Sequence, residues 1–203
     1  MKFIIATHNL KKQAEMQRIL APLGIAVQTA AQAGLTLTDV EETGRTFREN
    51  ALLKAESGCK ETGLPCVADD SGLCVDALDG APGVYSARFS GEHGNDEGNM
   101  QKLLELLRDT PKERRTAYFE SAVCVCFPNG DVIDVSGRCN GWIGYEKKGT
   151  GGFGYDPIFM VGDKSFAELT SEEKDEISHR GNALRKLTAA LNQYLNQPDK
   201  ETL

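Results

Sequence analysis

Two adjacent carboxylates, Asp69 and Asp70, follow the apolar stretch LPCVA and precede Ser71 and a glycine. Asp is a poor strand former, and two acids repel each other when they are close and dry. Asp, Ser and Gly are also common in turns, so the local pattern fits an ordinary turn. The local pattern alone does not decide between a turn and a functional role for the pair.

A second polar group, Thr7, Asn9 and Lys12, lies between a predicted first strand and a helix that starts at Leu10. The N-terminus of a helix attracts phosphate through its unpaired N–H groups and its dipole. The spacing is not that of a Walker loop, which is longer and glycine-rich. Taken alone, the loop fits a helix cap by Asn9 or Thr7 better than a phosphate site.

The segment GTGGFG at 149–154 formally matches a dinucleotide-binding fingerprint. That fingerprint requires a helix immediately after the glycines. Here Tyr155, Asp156 and Pro157 follow, and the proline disfavours a helix. We reject the dinucleotide interpretation, although the glycines allow close approach of a ligand and Phe153 offers a stacking face.

The elements that position these residues follow from hydrophobic periodicity and turn signals. The pattern opens as β-α-β, and the strand-like LPCVA and LCVDAL flank DDSG as two separate short strands. Pro128-Asn129-Gly130-Asp131 predicts a hairpin turn, and Thr170 with Glu173 forms a capping box. The order of elements predicts an α/β fold with a mixed sheet. Strands are predicted at 2–6, 25–29, 64–68, 73–78, 116–127 and 132–139, and helices at 10–23, 46–60, 96–109, 171–177 and 178–195.

Composition excludes some classes of function. The net charge of −7 over 203 residues argues against non-specific nucleic-acid binding. No apolar run approaches the roughly 20 residues of a membrane span. The start of the sequence lacks a signal-peptide pattern, which predicts a cytoplasmic protein. The six cysteines are then expected to be reduced, and their spacing, which includes CxC, does not form a zinc site.

Six motifs occur in order along nearly the whole chain: T-x-N-x-x-K near the start, EETGxTFxENAxxKA at 41–55, ADDSGL at 68–73, GAPGVYSAR at 80–88, GFGYDP at 152–157 and AELTSEEKxxISHRG at 167–181. Together they closely resemble the inosine/xanthosine triphosphate pyrophosphatases. One departure is His8, which stands where a glycine is common in that family.

The resemblance implies an elongated α/β domain over 1–203, with a central mixed, twisted sheet flanked by helices, two lobes and a cleft between them. It implies a homodimer that uses Mg²⁺ to hydrolyse ITP, dITP and XTP to the monophosphate and pyrophosphate. The activity would keep deaminated purines out of the nucleotide pool. Independently of the resemblance, the last residues, about 196–203, are expected to fray.

The resemblance also implies site residues by matching position. Asp70 is expected to be the general base and, with Glu42, a metal ligand; Asp69 either assists with the metal or caps a turn. His179 and Arg180 would donate hydrogen bonds to a 6-oxopurine, as Arg does to guanine in DNA. Without the family match, Lys54 and Lys174 would be ordinary exposed lysines. The implied substrate-binding residues are Thr7, His8, Asn9, Leu10, Lys11, Lys12, Lys54, Ser71, Phe153, Gly154, Tyr155, Asp156, Lys174, His179 and Arg180.

Two alternatives remain from the residues. One is a related pyrophosphatase for other modified nucleotides, including pyrimidines. The other is a nucleotide-binding regulatory module without turnover, which would not need a general base. A phosphatase with an aspartyl nucleophile would show D-x-D-x-T near the N-terminus, and the sequence has no such motif there.

Overall fold

The computed structural model describes residues 2–197, so the expected fraying of 196–203 lies mostly outside the described residues. The α-helices are α1 (Leu10–Leu20), α2 (Phe47–Thr62), α3 (Asp96–Leu106), α4 (Ser171–Ile177) and α5 (His179–Leu195). The strands are β1 (Lys2–Ile5), β2 (Ala26–Thr29), β3 (Cys66–Val75), β4 (Thr116–Cys126), β5 (Val132–Ile143), β6 (Phe159–Val161) and β7 (Lys164–Ser165).

The strands described within 2–197 form one seven-stranded sheet in the order β2-β1-β3-β4-β5-β6-β7. β1 is parallel to β2 and to β3, whereas β6 is antiparallel to β5 and to β7. The predicted turn at 128–131 joins β4 to β5, with the Phe127 N–H donating to the Asp131 carbonyl at 3.0 Å. The predicted α/β fold with a mixed sheet is therefore confirmed.

The expected break at DDSG is wrong. β3 is continuous from Cys66 to Val75 and carries Asp69, Asp70 and Ser71 inside the strand. The prediction failed because it treated the carboxylates as unpaired, and unpaired acids disfavour a buried strand. In the structure both acids have cationic partners, which outweigh that penalty for Asp69 and offset part of it for Asp70. Neither residue caps a turn.

The described chain divides into two compact units. The first comprises residues 2–70, 121–137 and 180–197. Its core forms where the apolar faces of α1 and α5 meet alternating strand residues, as expected for amphipathic helices on a sheet. The buried residues of this core are Phe3, Ile5, Met16, Ile19, Leu20, Ile25, Val67, Val123, Val125, Phe127, Ala183, Leu184, Leu187 and Leu191.

The second unit comprises residues 71–120 and 138–179. Aromatic rings fill much of its core. Phe119 lies edge-on to Phe159 at 4.7 Å and parallel to Phe166 at 5.9 Å between ring centroids. The leucine face of α3 supplies Met100 and Leu103 to the same core. Both units thus have the apolar interior that holds their polar side chains in place.

The six cysteines are free thiols, as expected from the sequence, and all six are buried. Burial raises the pKa of Cys66 and of Cys139 to about 11, so these thiols are protonated at neutral pH. No helix within the described residues has both the length and the apolar character required to cross a bilayer.

Candidate active site

The loop between β1 and α1 is organised by Asn9. The Asn9 side chain accepts hydrogen bonds from the backbone N–H groups of Lys11 at 3.0 Å and Lys12 at 3.1 Å, which makes Asn9 the N-cap of α1. The Asn9 N–H in turn donates to Thr7 Oγ1 at 3.3 Å. His8, Leu10 and Lys11 are exposed beside it. The helix-cap interpretation is confirmed, and the loop presents polar and cationic groups at the N-terminus of α1.

Asp69 is fully buried among cations of the first unit. Its Oδ2 atom lies 3.3 Å from Lys12 Nζ, and it accepts hydrogen bonds from Arg180 Nε at 3.1 Å and Arg180 Nη2 at 2.9 Å. Arg180 Nη1 donates to Glu15 Oε2 on α1. Burial alone would raise the pKa of Asp69, but Lys12 and Arg180 outweigh burial and hold it well below the usual range. Asp69 is therefore ionised and anchored.

The pKa values of Lys12 and Arg180 shift in opposite directions. Burial lowers the pKa of Lys12, and the attraction of Asp69 offsets this only in part because Lys54 and Arg180 repel the charge. Burial would also lower the pKa of Arg180, but Asp69 and Glu15 together raise it. An additional anion nearby would therefore stabilise the charged form of Lys12.

Asp70, the next residue of β3, has a separate set of partners. Its Oδ2 accepts a hydrogen bond from Asn50 Nδ2 at 3.1 Å, and its Oδ1 lies 3.5 Å from Lys54 Nζ. Lys54 Nζ also lies 2.5 Å from Glu42 Oε1. Burial raises the pKa of Asp70, Lys54 opposes this, and the nearby Glu42 adds to it. Asp70 is therefore a stronger base than an ordinary aspartate.

Helix α2 brings Asn50 and Lys54 to these carboxylates. Thr46 and Glu49 form a capping box that fixes the start of the helix. Residues four apart lie on one helix face, so Asn50 and Lys54 both point at Asp70. Burial would lower the pKa of Lys54, but Asp70 and Glu42 outweigh it and raise the pKa.

These contacts define a carboxylate–cation cluster within the first unit. Its described members are Lys12, Glu15, Glu42, Lys54, Asp69, Asp70 and Arg180. The cluster holds four carboxylates and three cations, which leaves one negative charge in excess. Such a group attracts a triphosphate poorly unless it also binds a cation.

The cluster fits a divalent cation. Glu42 and Asp70 both contact one ammonium group, so their oxygens converge on a single cation. Within residues 2–197, no group of three or more Asp, Glu, His or Cys side chains could hold a metal by itself. Mg²⁺ characteristically takes one or two carboxylates and completes its shell with substrate phosphates and water. The donor set matches that requirement.

In the second unit, Lys174 is positioned by Asp156. Lys174 Nζ lies 2.7 Å from Asp156 Oδ2 and 4.9 Å from the centre of the Phe153 ring. Asp156 Oδ2 also accepts the Phe153 N–H at 2.8 Å. A Cβ at Gly152, whose φ is +71°, would lie 2.0 Å from Asp156 Oδ2, so only glycine fits there. The result is an aromatic face with a fixed ammonium beside it.

The other implied residues of the second unit are more enclosed. Tyr155 is 4% exposed and donates its hydroxyl to the Ser86 carbonyl at 2.9 Å. His179 is buried and stacks on Phe119, with 4.7 Å between ring centroids. The Gly154 N–H donates to Asp96 Oδ2 at 2.9 Å, and Ser71 is half-buried.

Three polar contributors were missed from the sequence. Glu15 and Asn50 are buried at 8% and 0% exposure, and Asp96 holds the glycine-rich loop through Gly154. A signal was present for the first two. Glu15 precedes Ile19 by four residues and Asn50 follows Phe47 by three, so each polar residue falls inside an apolar helix stripe.

The chain is similar to known proteins in both sequence and fold. The Ham1 family model matches residues 3–190. A protein of Exiguobacterium sibiricum named dITP/XTP pyrophosphatase is 50% identical over 199 residues, covering 97% of this chain and 100% of the relative. The dITP/XTP pyrophosphatase of Bacillus subtilis is 50% identical over 190 residues, covering 93% and 96%. A solved HAM1 protein from Coxiella burnetii superposes with a TM-score of 0.84 at 41% identity, covering 95% of this chain and 99% of that one. The chain belongs to the Ham1 family.

Proposed function

We propose that this protein hydrolyses deaminated purine nucleoside triphosphates, namely ITP, dITP and XTP, to the monophosphate and pyrophosphate. The observation that carries the proposal is the convergence of Glu42 and Asp70 on one cation in the first unit. It occurs in a chain that is 50% identical to proteins named dITP/XTP pyrophosphatase. Hydrolysis of a polyphosphate needs neutralised phosphate oxygens and an oriented water, and it needs no protein nucleophile.

The triphosphate would bind at the N-terminus of α1. Lys12 and Lys54 supply positive charge, and Thr7 and Asn9 shape the loop so that the dipole of α1 points at the phosphates. Lys12, whose pKa is lowered by burial, gains a counter-ion when the phosphates bind. This gain favours phosphate over a neutral ligand.

Asp70 would accept the proton of the attacking water. Burial makes its carboxylate a stronger base than usual, and the Asn50 and Lys54 contacts fix its orientation. Glu42 and Asp70 would hold Mg²⁺, which when bound neutralises phosphate oxygens and positions water. Asp69 is already paired with Lys12 and Arg180, so its proposed part is to fix Lys12 rather than to bind the ion.

The purine would contact Phe153, Lys174 and His179 of the second unit. The Phe153 ring supplies a stacking surface, and Lys174 is fixed beside it. A donor at His179 suits the 6-oxo group of hypoxanthine and xanthine, whereas adenine presents an amino group there. The described Arg180 bonds run to Asp69 and Glu15, and base reading by Arg180 stays a prediction from the sequence. A homodimer and a cytoplasmic location stay predictions from the sequence.

Removal of divalent metal is expected to abolish turnover. The cluster carries an excess negative charge and cannot neutralise a triphosphate without a cation. We expect EDTA to stop hydrolysis of ITP and added Mg²⁺ to restore it, measured directly by anion-exchange chromatography of ITP and IMP. Circular dichroism on the chelated protein is the control for folding. Full turnover after rigorous metal removal would contradict the proposal.

A further inference from the structure

Asn50 is a fully buried amide with bonds to both segments that carry the proposed metal ligands. It lies in the first turn of α2 and is 0% exposed. Its Oδ1 accepts the Gly44 N–H at 2.7 Å, and its Nδ2 donates to Asp70 Oδ2 at 3.1 Å. Gly44 is two residues after Glu42. One side chain therefore links the loop of Glu42 to the strand of Asp70.

The chemistry of this bridge requires an amide. The side chain must accept a hydrogen bond from a backbone N–H and also donate one to a carboxylate, and only one orientation of the amide does both. An aspartate could accept from Gly44 but would repel Asp70. An apolar residue would leave the half-buried Gly44 N–H without this acceptor.

The loop at Gly44 packs closely against the first turn of α2. A Cβ at Gly44 would lie 2.6 Å from Asn50 Oδ1 and 2.7 Å from Glu49 Cβ. Glu49 Oε2 meanwhile accepts the Arg45 N–H at 2.6 Å and the Thr46 N–H at 3.2 Å. The first turn of α2 thus holds three consecutive N–H groups of the loop, which fixes where Glu42 lies.

The two carboxylate oxygens of Asp70 have different partners. Asn50 occupies Oδ2, so Oδ1 is the oxygen directed at Lys54, which also contacts Glu42. We infer that Asn50 is a positioning residue that sets the separation and orientation of Glu42 and Asp70, and thereby the affinity for the divalent ion and the rate of hydrolysis. This inference rests on the proposed function.

The test compares Asn50→Ala, Asn50→Asp and the wild-type protein. Loss of a residue that orients metal ligands typically changes metal affinity or activity by about 10- to 100-fold. We expect Asn50→Ala to lower kcat by that factor and to raise the Mg²⁺ concentration at half-maximal rate, with a small change in KM for ITP. Asn50→Asp should lower kcat similarly because its charge faces Asp70.

Hydrogen exchange gives a readout that does not depend on activity. Asn50→Ala should speed amide exchange in a peptide covering 38–46, because the Gly44 N–H loses its acceptor. Asn50→Asp retains that acceptor and should keep exchange close to the wild-type rate. If exchange is faster in Asn50→Ala but unchanged in Asn50→Asp, while both variants lose kcat to a similar extent, the effect of Asn50 on Asp70 is distinguished from its effect on the loop.

Asn99→Ala is the matched control. Asn99 is 2% exposed and bridges backbone groups, accepting the Ser90 N–H at 2.7 Å and donating to the Ala87 carbonyl at 3.3 Å. Its loss should lower the melting temperature without changing the Mg²⁺ concentration at half-maximal rate. The inference is overturned if folded Asn50→Ala keeps wild-type kcat and Mg²⁺ dependence, or if Asn99→Ala changes that dependence equally. A wild-type protein inactive on ITP would refute the proposed function, while exchange over 38–46 would still decide whether Asn50 holds the loop.

Discussion

Asp70→Asn is expected to lower kcat for ITP by on the order of 10²-fold or more while the protein stays folded. The substitution keeps the shape of the side chain but removes the base and weakens the proposed metal site. Asn50 Nδ2 can still donate to the amide oxygen of the new Asn. Because burial raises the pKa of Asp70, its charge opposes folding at neutral pH, so a neutral Asn should leave the melting temperature unchanged or higher.

Asp69→Asn is the matched control, one residue away on the same strand. The pKa of Asp69 is lowered, so its ionised form stabilises the fold above its unfolded pKa, and this stabilisation is lost as pH falls through the folded pKa. Asp69→Asn should therefore lower the melting temperature at pH 7 and reduce kcat less than Asp70→Asn does. Steady-state kinetics and thermal melts on both variants check this. A larger loss of kcat from Asp69→Asn would show that the two roles are assigned to the wrong residues.

Among these substitutions, Arg180→Met is expected to lower the free energy of unfolding the most. Its side chain is 2% exposed, and its guanidinium pairs with the carboxylates of Asp69 and Glu15. Removing one partner of a buried ion pair leaves an uncompensated charge and typically lowers stability by about 3–5 kcal/mol. Urea unfolding at pH 7 measures this change, and Arg180→Lys should lie between Met and wild type because it keeps the charge but loses the fork of donors.

Arg48→Met is the control for the same chemical change at the surface of the same unit. Arg48 lies 2.6 Å from Asp134, but its side chain is 57% exposed. Exposed ion pairs contribute little because water screens them, so this variant should unfold at nearly the wild-type urea concentration. Equal losses from Arg180→Met and Arg48→Met would contradict a buried structural ion pair at Arg180.

Local patterns in the sequence predicted most of the secondary structure. The β-α-β opening, the hairpin turn after Phe127 and the Thr170 capping box depend on residues close in the chain, and all three are found. The prediction failed at DDSG, where pairing with distant cations allows two acids inside a strand. Arg180 is 111 residues from Asp69 and 165 from Glu15, and no periodicity records such partners.

The candidate site was predictable only in part for the same reason. Asp70, Glu42 and Lys54 came from family motifs, and the structure brings them together. Asn50 lies inside one of those motifs, yet its bonds to Gly44 and Asp70 depend on how the loop packs on α2. Short-range spacing indicates which residues share a helix face, but it does not indicate what that face meets.

The proposed reaction is tested most directly by phosphorus NMR of the products formed from ITP, with ATP as the competing substrate. Water attack that releases pyrophosphate gives IMP and pyrophosphate in equal amounts, with no IDP. The 6-amino group of adenine and the donor that faces it would both stay unpaired, at a cost of roughly 1–3 kcal/mol each. We therefore expect kcat/KM for ATP to be lower than that for ITP by about 10² or more. Release of IDP and orthophosphate, or hydrolysis of ATP as fast as ITP, would contradict the proposal.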